Sequence, residues 1–125
     1  MPYDPSNIFA KMIRKEIPVE PVFQNDVIFA IRDIAPAAAV HVLAMPKGEY
    51  ISFNDFTQNA APEIIAQFFA GIQKIATEVL GLEETGYRLI MNHGRDASQT
   101  VPHFHVHILG GEPLGGLLGK DRLVR

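Results

Sequence analysis

The residues able to do chemistry cluster in one stretch, Pro102-His103-Phe104-His105-Val106-His107-Ile108, which holds three of the five histidines in a chain of 125 residues. The imidazoles alternate with Phe104, Val106 and Ile108, and a period of two marks a β-strand with two unlike faces. At about 3.3 Å per residue, successive imidazoles stand about 6.6 Å apart on one side, while the apolar side meets a core. A neutral imidazole is a nucleophile near pH 7 and leaves readily from phosphorus. It needs a group to hold its other nitrogen, and donors for the non-bridging oxygens. His105, in the middle, has an imidazole on each side able to donate to a phosphate or a leaving group. Just upstream, Ser98, Gln99 and Thr100 add side-chain and backbone donors.

A metal site is the competing chemistry. Two histidines at i and i+2 can share a zinc ion, with a third ligand from His41 or His93. In an extended strand, however, His103 and His107 are about 13 Å apart, too far for bonds near 2.1 Å to one ion. No Cys, Asp or Glu flanks the run. No metal and no other cofactor is therefore expected. The plainest alternative is a solvent-facing polar strand that is merely rich in histidine. His93, in the turn-rich loop His93–Ser98, reads as solvated, and Asp33 as a turn residue before Pro36. The Phe68/Phe69 pair reads as core.

Composition narrows the class further. The chain has no cysteine, which excludes disulfides, thiolate nucleophiles and thiolate zinc sites. A net charge of −3 with no basic stripe argues against a nucleic-acid polymer as partner. A small anion remains possible, because backbone amides and imidazoles bind phosphate without a basic surface. No apolar run approaches the ~20 residues of a membrane span. Met1-Pro2-Tyr3-Asp4-Pro5 lacks the basic and apolar regions of a secretory signal, so the expected location is cytoplasmic. A hydrophobic fraction of 47% is enough for the core of one globular domain spanning residues 1–125.

The elements that must position the histidines follow from patterning. Ser6 is a candidate cap for a short helix reaching Lys15, with Ile8, Phe9, Met12 and Ile13 as its stripe. Val22–Gln24 and Val27–Ile31 read as strands joined by a two-residue Asn25-Asp26 turn, and His41–Met45 as a third strand. Ile51–Phe56 reads as loop with a short turn. One long amphipathic helix is expected from Pro62 to Leu80, with Asn59 as N-cap and Gly81 just past its end. Tyr87–Asn92 is the fourth strand and Val101–Leu109, carrying the histidines, the fifth. The tail, 112–125, has no assigned place. Strands in runs with a helix between them predict an α+β fold: a five-stranded antiparallel sheet with the long helix on one face and a short N-terminal helix. Phe104, Val106 and Ile108 then face the long helix, and the three histidines face away from it into a cleft.

The run Gln99-Thr100-Val101-Pro102-His103-Phe104-His105-Val106-His107-Ile108-Leu109 resembles the signature of the histidine triad family of nucleotide hydrolases and transferases. Further stretches resemble its Hint branch: Ile8-Phe9 with Lys15-Glu16-Ile17-Pro18, Asp33-Ile34 with Pro36, His41 ahead of Pro46-Lys47, Gly86-Tyr87-Arg88 with Asn92, and Leu109-Gly110-Gly111. The resemblance covers about residues 7 to 111. It implies an α+β homodimer and a purine nucleotide as small-molecule partner. His105 matches the nucleophile of a nucleotidyl-histidine intermediate, with Val106 beside it. His103 and His107 match its phosphate- and leaving-group-side partners, and His41 the fourth histidine. Asp33 matches the ribose carboxylate, with Ile34 adjacent. Asn92, Gln99 and Thr100 match phosphate- and ribose-side contacts, with Ser98 in the same loop. Ile8, Phe9, Met12, Ile17 and Ile31 match the base pocket. Ser98 stands where the branch commonly has glycine, and Thr100 where serine is common. The implied activity is hydrolysis at the α-phosphorus of a purine nucleoside 5′-monophosphate derivative. Its alternatives are dinucleoside polyphosphate hydrolysis and nucleotide binding with little turnover.

Overall fold

The computed structural model describes residues 2–121. Five strands form one antiparallel sheet: β1 (Phe23–Gln24), β2 (Ile28–Arg32), β3 (Val40–Pro46), β4 (Tyr87–Ile90) and β5 (Val106–Gly110), in the order β1-β2-β3-β5-β4. The expected α+β architecture is observed. The β1–β2 connection is longer than the two-residue turn expected, since Gln24 pairs with Phe29. Asn25 closes it by accepting hydrogen bonds from the Val27 and Ile28 amides at 2.8 and 2.9 Å. A side chain that mimics the backbone makes the longer loop stable.

The central strands β2 and β3 are buried on both faces. Helix α3 (Pro62–Lys74) covers one face, with Phe68, Ile72, Ile75 and Ala76 packed on Ile28, Ala30, Val42, Ala44, Val106 and Ile108. Its N-cap is Ala61 with Pro62 in the first turn, not Asn59, and its end widens into π-helical bonding over Ile75–Val79. Gly81 follows with φ of +67°, a conformation glycine adopts without a Cβ clash. Ile51–Phe56 is not loop. Helix α2 (Phe53–Asn59) starts there, capped by Ser52, whose side chain accepts from the Asp55 amide. It inserts Phe56 against Phe68 and Phe104, with ring centroids 5.2 and 5.0 Å away. A single deeply buried aromatic anchors it, so no amphipathic repeat announces it.

On the opposite face Phe9, Phe29, Ile31, Leu43 and Met45 form a second core, with Met12, Ile13, Val19 and Val101 at its edge. Helix α1 (Ile8–Ile13) supplies Phe9 and Met12. Its cap is Asn7 rather than Ser6, and it stops short of Lys15, whose φ of +64° cannot continue a helix. The described part of the tail is pinned: the Arg88 guanidinium donates to the Gly115 and Gly116 carbonyls, and the Ala39 amide to Glu112. The last tail residues, 122–125, lie outside the described residues. Among the described residues no helix is long and apolar enough to cross a membrane.

Candidate active site

The alternation along 103–108 holds for the core side: Phe104, Val106 and Ile108 are buried under α2 and α3. The histidine side is corrected in one respect. Regular pairing begins only at Val106, so of the three histidines only His107 lies in β5, opposite Leu43. His105 is half-buried, with the Phe9 ring edge-on at 4.9 Å and the His107 ring at 5.3 Å. His103 does not face an open cleft: it is 1% exposed.

Hydrogen bonds determine the tautomer of each ring. A carbonyl can only accept, so a ring nitrogen beside one carries the hydrogen. His105 Nδ1–H donates to the His103 carbonyl at 2.8 Å, which leaves Nε2 with its lone pair. His103 Nε2–H donates to the Pro46 carbonyl at 2.8 Å, and its Nδ1 lies 2.6 Å from the Tyr3 hydroxyl, which donates to it. The Ala37 amide donates to His41 Nδ1 at 3.0 Å, so His41 Nε2 holds the hydrogen. That hydrogen goes to His107 Nδ1 at 2.9 Å, and His107 Nε2 is in turn the protonated nitrogen. Among the described residues, the His105 Nε2 lone pair and the His107 Nε2–H have no hydrogen-bond partner, and the two rings stand side by side.

Burial disfavours the charged form of His103, His105 and His107. Desolvation pushes the His103 pKa down to about 4 despite the Pro46 carbonyl. It likewise lowers His107 to about 4, with the neighbouring His105 and His41 rings acting in the same direction. His105 is lowered chiefly by desolvation, opposed by the His103 carbonyl and the Asp33 carboxylate. A neutral His105 is the nucleophilic form.

His41 comes from β3 and Asp33 from the loop after β2. Asp33 Oδ2 is 3.4 Å from His41 Nε2, and Oδ1 accepts from the Ala35 amide at 2.9 Å. Asp33 is therefore both a turn residue and a carboxylate at the site. The ligand atoms of Asp33, His41 and His107 lie within 4.8 Å of one another, close enough to hold a metal ion. The Ala37 amide opposes that use, because it places the hydrogen on the His41 nitrogen that would have to ligate.

The remaining expected contacts separate into groups. Phe9 and Ile31 are buried in the second core, Met12 packs against it, and Met12 and Ile17 line an open pocket of about 720 Å³ together with Phe29. Ile8 is 45% exposed, and Ile34 is 99% exposed beside Asp33. Val106 is wholly buried on the helix side, so only its backbone can face a ligand. Asn92 is half-buried; Ser98 and Thr100 are exposed on the loop, as is His93. Ser98 has φ of +60°, the conformation that favours glycine there. The Gln99 amide donates to the Ile51 and Val101 carbonyls at 2.7 and 3.2 Å, and its oxygen accepts from Gly94 at 3.1 Å. That makes Gln99 the brace of the loop rather than a free donor. Sequence reasoning did not find Tyr3, the Ala37 amide or the Pro46 carbonyl. Backbone groups carry no signal in residue type, and a single tyrosine near a chain start carries none either.

An imidazole with an unprotonated nitrogen beside another imidazole with a fixed N–H is an arrangement able to carry out group transfer. A family model for the HIT domain matches residues 14–114. An uncharacterized HIT-like protein of Rickettsia prowazekii is 45% identical over 119 residues, 95% of this chain and 98% of the relative. The purine nucleoside phosphoramidase of Escherichia coli K12 is 43% identical over 116 residues, 93% of this chain and 96% of that enzyme. The crystal structure of a HIT family hydrolase from Legionella pneumophila superposes with a TM-score of 0.82 at 36% identity, covering 90% of this chain and 98% of that one. The chain belongs to the histidine triad (HIT) family.

Proposed function

We propose that this protein is a hydrolase acting at the α-phosphorus of purine nucleoside 5′-monophosphate derivatives, phosphoramidates or related AMP and GMP conjugates, through a nucleotidyl-histidine on His105. The observation that carries the reading is the His105 Nδ1–H bond to the His103 carbonyl, which leaves Nε2 as an unprotonated nucleophile. Nε2 attacks phosphorus and the bond to the leaving nitrogen breaks. The leaving nitrogen departs as the amine carrying the proton of His107 Nε2, and the water that later splits the P–N bond to His105 adds its hydroxyl to phosphorus and returns a proton to His107 Nε2. The likeness to the Escherichia coli phosphoramidase supports the substrate class. The pocket lined by Met12, Ile17, Val19 and Phe29, with Lys15, Glu20 and Gln24 at its polar side, suits a purine, and Asp33 suits a ribose. Residues 1–125 act here as one HIT domain on a cytoplasmic nucleotide pool, without a cofactor.

We also infer a homodimer. Tyr87 and Leu89 alternate along the edge strand β4 and are 37% and 42% exposed, with Met91 just past the strand at 42% and Val79 near the end of the long helix at 41%. An unpaired strand edge with an apolar face favours a symmetric partner.

The test is a substrate panel of adenosine 5′-phosphoramidate, diadenosine polyphosphates and AMP esters. The phosphoramidate should be the best substrate, and His105→Ala should lose at least ~10³ in rate, the scale of a removed covalent nucleophile. A mutant keeping a tenth of wild-type rate moves the role to another residue.

A further inference from the structure

The segment ahead of α1 is folded back onto the site by its own hydrogen bonds. The Ser6 amide and hydroxyl donate to Asp4 Oδ1 at 2.9 and 2.6 Å, and Asn7 Nδ2 donates to the Asp4 carbonyl at 2.8 Å. Asn7, in turn, accepts from the Ala10 amide at 2.9 Å and so ties this turn to the start of the helix. Tyr3 is thereby laid edge-on against His103, with ring centroids 5.7 Å apart. The contact joins residues 100 positions apart in sequence.

Both nitrogens of His103 are occupied, one by the Pro46 carbonyl and the other by the Tyr3 hydroxyl. Its ring is therefore not offered to a nucleotide. What His103 does offer is its backbone carbonyl, the acceptor that holds the His105 Nδ1 hydrogen. The placement of that carbonyl depends on how firmly the ring of the same residue is held.

We propose that Tyr3 is a positioning residue for the nucleophile. Its hydroxyl clamps the His103 ring, and the clamped residue presents the carbonyl that keeps the hydrogen on His105 Nδ1 and the lone pair on Nε2. The inference rests on His105 being the nucleophile. The Tyr3 phenol stays a donor because burial raises its pKa. Without the hydroxyl, His103 is held through one nitrogen and its buried Nδ1 loses its donor. Misplacement of reacting groups by a fraction of an ångström to 1 Å costs about ten- to a hundredfold in rate.

The experiment compares wild type with Tyr3→Phe in the full chain, using adenosine 5′-phosphoramidate as substrate and histidine-¹⁵N NMR on both proteins. We expect kcat to fall about tenfold with KM changed by less than about twofold, the signature of a geometric loss at the chemical step. The His105 Nδ1–H resonance should shift along with that of His103 Nδ1. A lowered melting temperature with kcat and the His105 resonance unchanged would make Tyr3 a stabilising residue only, and overturn the proposal. If wild type turns over no phosphoramidate, the hydrolase reading fails and the spectra alone decide the clamp: a shifted His105 resonance supports it, an unmoved one overturns it.

Discussion

Lowering the pH should unfold this protein sooner than its carboxylates alone would dictate, because a buried neutral histidine must acquire a proton as the chain unfolds. His103 is 1% exposed and its pKa is depressed from 6.5 to about 4. Between those values the unfolded chain binds a proton that the folded one does not, so stability rises with pH across this window. The contribution is fully present above pH 6.5 and is lost as pH falls toward about 4. Evaluated from those two values, moving from pH 7.5 to 5.0 costs about 2 kcal/mol for His103 alone. His107 has the same sign and adds a smaller amount, since it is partly exposed to solvent. Most carboxylates are still ionised at pH 5, so the signal belongs mainly to histidines. Urea titrations at pH 7.5 and 5.0 measure it directly. Equal unfolding free energies at the two values, within about 0.5 kcal/mol, would mean that native His103 is already protonated at pH 5.0 and that burial does not hold its pKa down.

Three further outcomes are expected. Asp33→Asn should weaken AMP binding more than dAMP binding in isothermal titration, because charge-assisted hydrogen bonds contribute about 1.5–3 kcal/mol apiece and dAMP has one hydroxyl fewer. Equal weakening with a lowered melting point would leave Asp33 only the turn role shown by its bond from Ala35. EDTA should leave activity intact and elemental analysis should find no stoichiometric zinc, since the His41 nitrogen nearest Asp33 and His107 carries a hydrogen; one zinc per chain with activity lost on its removal would refute this. Leu89→Glu on the edge strand should give a monomer by light scattering at micromolar concentration, while wild type gives a dimer.

Side-chain direction along an extended chain is a local property, and that is why the sequence by itself placed Phe104, Val106 and Ile108 in the core and His105 and His107 on the other side. The same locality exposed the amphipathic face of the long helix and the Gly81 that follows it. The triad with His41, Asp33 and the 99–111 run was legible as a family pattern, because residue types at fixed spacings carry it. Tertiary structure decided the rest. Helix α2 was hidden because one buried phenylalanine, not a repeat, holds it. The start of β5 at Val106 depends on pairing with β3, which no local pattern reports. The state of each imidazole depends on the atoms beside its nitrogens: a carbonyl of Pro46, an amide of Ala37, a hydroxyl of Tyr3. Two of those are backbone groups common to every residue, and the third arrives from the far end of the chain. A sequence can therefore specify which rings are present, while only the folded chain specifies which nitrogen of each ring carries the proton.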